Sequence, residues 1–165
     1  MFIMHYKKWL VIVFASITLP AIAMNWPDYL RFEMLHAYDD LMEKTTICRS
    51  ERNVVAMGDI TSSWFNDLPS KQRNSVILLL SQINMDQCVN EEEANYTKAL
   101  LNYVAETGES KRLDDWLVLK KVFVHRELRA DFNQLDLRQI QLLSEEPPFN
   151  KPFDPLQVSE LYRSE

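Results

Sequence analysis

The sequence predicts a mainly α protein, a single compact helical domain of about five to six helices with one intramolecular disulfide. Three observations predict it. Gly58 and Gly108 are the only glycines among 165 residues, which leaves little material for tight hairpins. Apolar residues recur at helical spacing, with Leu30, Met34, Ala37 and Leu41 at i, i+4, i+7 and i+11 the clearest stripe. Cys48 and Cys88 are the only cysteines.

The first helix opens at Asn25-Trp26-Pro27-Asp28, where Asn caps, Pro occupies the first turn and Asp meets the positive end of the helix dipole. The Leu30–Leu41 stripe carries it to about Lys44, with Glu33, His36, Asp40 and Glu43 on a separate polar face. Between Thr45 and Leu68 the pattern is ambiguous. Asn53–Met57 fits a short strand or part of a helix, and Gly58-Asp59 ends either. Leu68-Pro69 marks a boundary, and Ser70 caps a helix to Ile83. Its run Val76–Leu80, five apolar residues in succession, predicts burial on all sides. Asp86–Asn90 is predicted as a loop, with Asn90 capping a further helix whose first turn holds Glu91, Glu92 and Glu93. Gly108 stops that helix. Ser110 begins the next segment. Leu113–Leu128 has the β-branched and aromatic content of a strand, but Lys120 and Lys121 fit a partly exposed helix better. A helix from about Asp136 to Ser144 follows. Pro147, Pro148, Pro152 and Pro155 then exclude a helix or central strand, and Asp154-Pro155 starts one short terminal helix. The expected organisation is a leader over residues 1–23, a helical domain over 24–143 and a Pro/Phe-rich tail over 144–165.

The leader has the layout of an export signal. His5, Lys7 and Lys8 precede an apolar run from Trp9 to Leu19, Pro20 breaks it, and Ala21-Ile22-Ala23 supplies small residues at the cleavage positions. Trp9 to Met24 is 16 residues, short of the roughly 20 that span a bilayer, so cleavage after Ala23 is expected. Retention as an inner-membrane anchor, with Trp26 and Tyr29 at the interface, is the alternative. Either way the body faces the periplasm. In that oxidising space a cysteine pair points first to a disulfide, Cys48–Cys88. The body from Met24 onward carries 16 basic and 24 acidic residues, a net charge of −8. Phosphate backbones and anionic lipids repel such a surface, so nucleic acid is not an expected partner.

No chemistry-bearing motif stands out. The glycines are too few for a phosphate loop or a dinucleotide fold. No CxxC or HxxxH offers metal-ligand spacing, no G-x-S-x-G elbow presents a nucleophile, and no carboxylate pair is singled out among 24 acids. No catalytic residue, metal ligand or cofactor is therefore expected. His36, flanked by Glu33, Asp39 and Asp40 at i−3, i+3 and i+4, is the pH-sensing candidate, against the alternative of a solvated polar face. His125 has no such setting. Lys111–Leu143 reverses the charge of the body, with seven basic residues against five acids. Lys111, Arg112, Lys120, Lys121, Arg126 and Arg129 are thus candidates for docking an acidic partner, unless they form a helix face laced with its own ion pairs. Phe149 and Phe153 are candidate anchors in a partner's groove, unless the tail covers its own domain.

The basic leader His5-Tyr6-Lys7-Lys8 running into Trp9-Leu10-Val11-Ile12-Val13, before a body of 142 residues with one cysteine pair, resembles the small periplasmic accessory proteins of the Psa and Myf fimbrial systems. Those proteins act with the periplasmic part of a membrane-bound transcription regulator. The resemblance lies in size and layout, carries no motif, and transfers no residue role. It implies an exported accessory factor that binds and stabilises a regulator. A periplasmic immunity protein that neutralises a toxin suits the same composition, and a small periplasmic hydrolase is the third possibility.

Overall fold

The computed structural model describes residues 24–123 and 134–163. Six α-helices and no strand are found among them, with the Cys48–Cys88 disulfide in place. The predicted fold class is thus observed. The leader, His125, Arg126 and Arg129 lie outside the described residues.

Helix α1 (Trp26–Ser50) starts as its residues require, with the Asn25 carboxamide accepting from Asp28 N–H. It continues past Lys44 to Ser50, beyond the predicted end. Thr45 and Thr46 turn their hydroxyls back onto the carbonyls of Leu41 and Met42, and Cys48, seven residues after Leu41, extends the buried stripe by two turns. A short 3₁₀ turn (Met57–Asp59) and α2 (Ser63–Asn66) follow. Asn53 makes an isolated bridge to Phe153, and the ambiguous stretch has no regular structure through Ala56 before Met57 enters the 3₁₀ turn.

The largest departure from expectation is α3 (Ser70–Thr107), one helix of 38 residues, about 57 Å long at the α-helical rise. The predicted loop at Asp86–Asn90 does not exist. Asp86, Gln87 and Asn90 are exposed while Val89 is buried and Cys88 half-buried, so these polar residues are the outer stripe of an unbroken helix. Asn90 and the three glutamates are consequently interior to it. Pro69, not Ser70, occupies the cap position. The Val76–Leu80 run is not buried all round, since Leu78 is exposed beside buried Val76, Ile77 and Leu80. At the far end Gly108 takes φ 74° as the left-handed cap, as predicted, and the Tyr103 hydroxyl donates to the Glu109 carboxylate just beyond. Helix α4 (Lys111–Phe123), helix α5 (Leu137–Glu145, capped by Asp136) and helix α6 (Pro155–Leu161, capped by Asp154) are the remaining helices among the described residues.

Helix α3 is the spine between two cores. Its C-terminal half packs antiparallel on α1, burying Leu30, Met34, Leu41 and Cys48 against Val89, Tyr96, Leu100 and Tyr103. Leu113 and Trp116 of α4 close that cluster, with Trp116 edge-on to Tyr96 at 5.1 Å. The N-terminal half carries the second core, Val76, Ile77 and Leu80, covered by Val55, Ile60, Phe65, Ile140, Leu143, Phe149, Phe153 and Val158. The disulfide ties the C-terminal end of α1 to α3 at Cys88, with 6.2 Å between Cα atoms.

The tail belongs to this second core and is not a separate element. Prolines supply carbonyls but no N–H, so donors must come from elsewhere in the chain. Asn53 provides them to Pro152 and Pro148 at 2.7 and 3.3 Å, and buried Asn84 to the Phe149 carbonyl at 2.5 Å. Phe149 stands between Phe65 and Phe153 at centroid distances of 5.4 and 5.2 Å. Tyr162 packs on Phe65, and Arg73 lies over the Tyr162 ring while donating to the carbonyls at the end of α2.

Candidate functional site

A groove of about 560 Å³ opens where α1, α3, α4 and the tail meet, within the size range of ligand sites. Its apolar lining comes from Leu41 and Met42 of α1, Leu78, Met85 and Val89 of α3, and Trp116 and Leu119 of α4, with Pro152, Phe153 and Pro155 at the tail. Met42, Leu78 and Leu119 are each about 40% exposed, at 38%, 41% and 43%. Three large apolar side chains left open to solvent on one concave surface are more informative than scattered ones.

The polar groups of the groove form two sets. On the α3–α4 side, Lys120 pairs with Glu93 and places its ammonium 5.1 Å from the Trp116 ring centroid. Asp86 belongs to this set. It keeps solvent access, yet partial burial raises its pKa above the ordinary carboxylate value, with Lys120 opposing the rise, Glu93 adding to it and a Gln82 hydrogen bond opposing it. On the α1 side stand Arg49 and Arg52. Neither figures among the charges acting on Asp86. Arg52 Nε is buried without an acceptor, and neither arginine has an ion-pair partner among the described residues.

A raised carboxyl pKa means that folding favours the protonated Asp86. Stability from this group is present below the unfolded value and is lost as pH rises through the folded one. Asp86→Asn should therefore match wild type in strong acid and become slightly more stable than wild type above the carboxylate range. Melting temperatures of the two proteins from pH 3 to pH 7 check this. A lower Asp86→Asn curve at neutral pH would show that the carboxylate is needed charged.

The structure scatters the candidate residues that the sequence suggests. His36 is exposed, stacked on Phe32 at 6.1 Å, and only Asp40 among its predicted acidic neighbours comes within ion-pair reach, at 4.0 Å. No acidic cage surrounds it, and an exposed pair of this kind contributes little. Lys111 pairs along its own helix with Asp115 at 3.2 Å, Lys120 holds α4 to α3, and Arg112 is exposed. Lys121 lies in α4 by its backbone. Lys111 and Lys120 are thus paired with acids of this chain, as the alternative reading of this segment expects. Phe149 and Phe153, each 1% exposed, are core residues, which corrects their reading as partner anchors. Among the described residues no three His, Cys, Asp or Glu side chains gather as metal ligands.

The groove has almost no trace in the sequence. One signal for it is present: Arg49, in the last turn of α1, has no acid at i±3 or i±4, so no helical neighbour could pair with it, and Arg52 follows just past the helix end. The convergence of α1, α4 and the tail over α3 leaves no local signal. Two further apolar surfaces accompany the groove. On α4, Leu117 and Val118 are exposed at 48% and 59% beside Leu119. On the first turns of α1, Trp26, Tyr29 and Phe32 are exposed, with Trp26 stacked on Tyr29 at 5.4 Å. No described helix is long and apolar enough to cross a membrane. No family model, curated protein or solved structure matches this chain.

Proposed function

We propose that this chain is an exported, periplasmic protein-binding accessory factor that stabilises or modulates a membrane-bound transcription regulator. The observation that carries the binding role is the outer face of α4. Leu113, Trp116 and Lys120 hold this helix on the body, yet it also exposes Leu117 and Val118, neither of which lines the groove. Large apolar side chains that a helix exposes without using them to pack are candidates for an interaction site. The disulfide supports an oxidising location. The regulator as partner rests on the layout shared with the Psa- and Myf-type accessory proteins.

A photo-crosslinking residue at Val118, activated in intact envelopes, tests the reading. A membrane protein with a DNA-binding domain is the expected adduct, lost when Leu117 is changed to Asp in a protein of unchanged thermal stability. A secreted toxin as the adduct would replace the regulator by the immunity role. Absence of any adduct that depends on Leu117 would overturn the assignment of α4.

A further inference from the structure

We infer that the groove between α1, α3 and α4 is a binding site for a small amphipathic carboxylate, its apolar body lying against Met42, Leu78, Met85 and Leu119 and its head group taken by Arg49 and Arg52. The inference goes beyond the partner proposed for α4 and does not depend on it.

The shape sets the first half of the argument. Along α1 the groove runs from Tyr38 to Arg49, about 17 Å at the helical rise, which accommodates an extended alkyl chain or a compact apolar body of similar length. Its lining is predominantly apolar with a few placed polar groups, the composition of small-molecule sites. Burying the exposed faces of Met42, Leu78 and Leu119 supplies the driving force.

Charge sets the second half. Of the three cations lining the groove, Lys120 is already neutralised by Glu93. Arg49 and Arg52 are three residues apart on one side, unmatched by any acid among the described ion pairs, and Arg52 Nε has lost water without gaining an acceptor. Buried donors are nearly always paired, so the protein alone leaves this guanidinium under-satisfied; a head group would meet its terminal nitrogens, the Nε being covered. A guanidinium donates through a planar fork that a carboxylate matches with two parallel hydrogen bonds. Asp86 and Glu93, the two carboxylates that line the groove, sit with Lys120 and outside this set. A cationic or neutral head group would leave the arginines as they are.

Three probes with one dodecyl tail separate head-group recognition from apolar adsorption: dodecanoate, dodecyl maltoside and dodecyltrimethylammonium, each titrated below its micellar range by calorimetry. The body is net acidic, at −8 from Met24 onward, so non-specific attraction favours the cation and a preference for dodecanoate runs against it. Dodecanoate is expected to bind at least about tenfold more tightly than the other two, the scale of one charge-assisted hydrogen bond, and to shift the Trp116 indole proton resonance. Arg49→Gln with Arg52→Gln should abolish the preference while weak binding of all three tails persists. Arg49 is exposed, so Arg49→Gln alone serves, with a partial loss, if the double variant does not fold. Leu78→Glu, at an exposed position, should weaken dodecanoate about tenfold or more without lowering thermal stability. Equal affinity for the three probes, a preference for the cation, a preference that survives loss of the arginines, or binding that leaves Trp116 unmoved would each overturn the inference.

Discussion

Phe149→Ala should destabilise the protein by about 3–5 kcal/mol, the cost of emptying a buried aromatic site that cannot collapse. The ring is 1% exposed and held between Phe65 and Phe153, and its own carbonyl accepts from Asn84 on α3. Those contacts join the tail, α2 and the spine, so little freedom remains for repacking. Urea unfolding should show a lower midpoint at unchanged slope, and Phe153→Ala should behave alike. Were either ring a partner anchor, its loss would weaken binding and leave the midpoint in place. A change below about 1 kcal/mol, the scale of substitutions outside the core, would remove Phe149 from the core.

Removing the disulfide is the second large effect. Cys48 and Cys88 are 40 residues apart in sequence, and closing such a loop restricts the unfolded chain by about 4 kcal/mol in the chain-entropy treatment. Cys48→Ser and Cys88→Ser should each lower stability by about that amount. The double substitution should be no worse than either alone, since one shared bond can be lost only once. Chemical unfolding of the three variants beside wild type provides the comparison. Single effects that add in the double variant would mean that the two sulfurs stabilise the protein separately. The position of the bond gives the loss a structural direction. It fastens the last turns of α1 beside Arg49, so its removal should also loosen the α1 wall of the groove and raise amide exchange around Arg49 and Arg52.

Where the sequence was legible, the signal was local. Asn25 and Asp154 cap the helices they were expected to cap, because a short polar side chain can satisfy an orphan N–H within three residues of itself. Gly108 ends α3 because it takes a left-handed conformation at low cost. The Leu30–Leu41 stripe predicted the buried face of α1, since a helix repeats its face every three to four residues whatever it packs against. With Cys48 and Cys88 the only cysteines, an intramolecular disulfide had one available pairing.

Where the sequence misled, the missing information was which surface a residue meets. Asp86, Gln87 and Asn90 have the composition of a loop, yet α1 holds Cys88 and Val89 on the opposite face and keeps the helix unbroken. Packing over two cores outweighs a few tenths of a kcal/mol of unfavourable propensity per residue. The prolines around Phe149 excluded a helix, as the sequence implied, but could not say whether the rings faced solvent or core. Asn53 and Asn84, 96 and 65 residues distant from Phe149, decide that by donating to the tail carbonyls. The groove is the extreme case. The sequence by itself determined the helical class, the caps at Asn25, Gly108 and Asp154 and the cross-link, and it gives Arg49 and Arg52 no acid three or four residues away. Only the tertiary structure decided that those arginines face an open apolar trough, because the trough is made of side chains from four segments brought together by long-range packing.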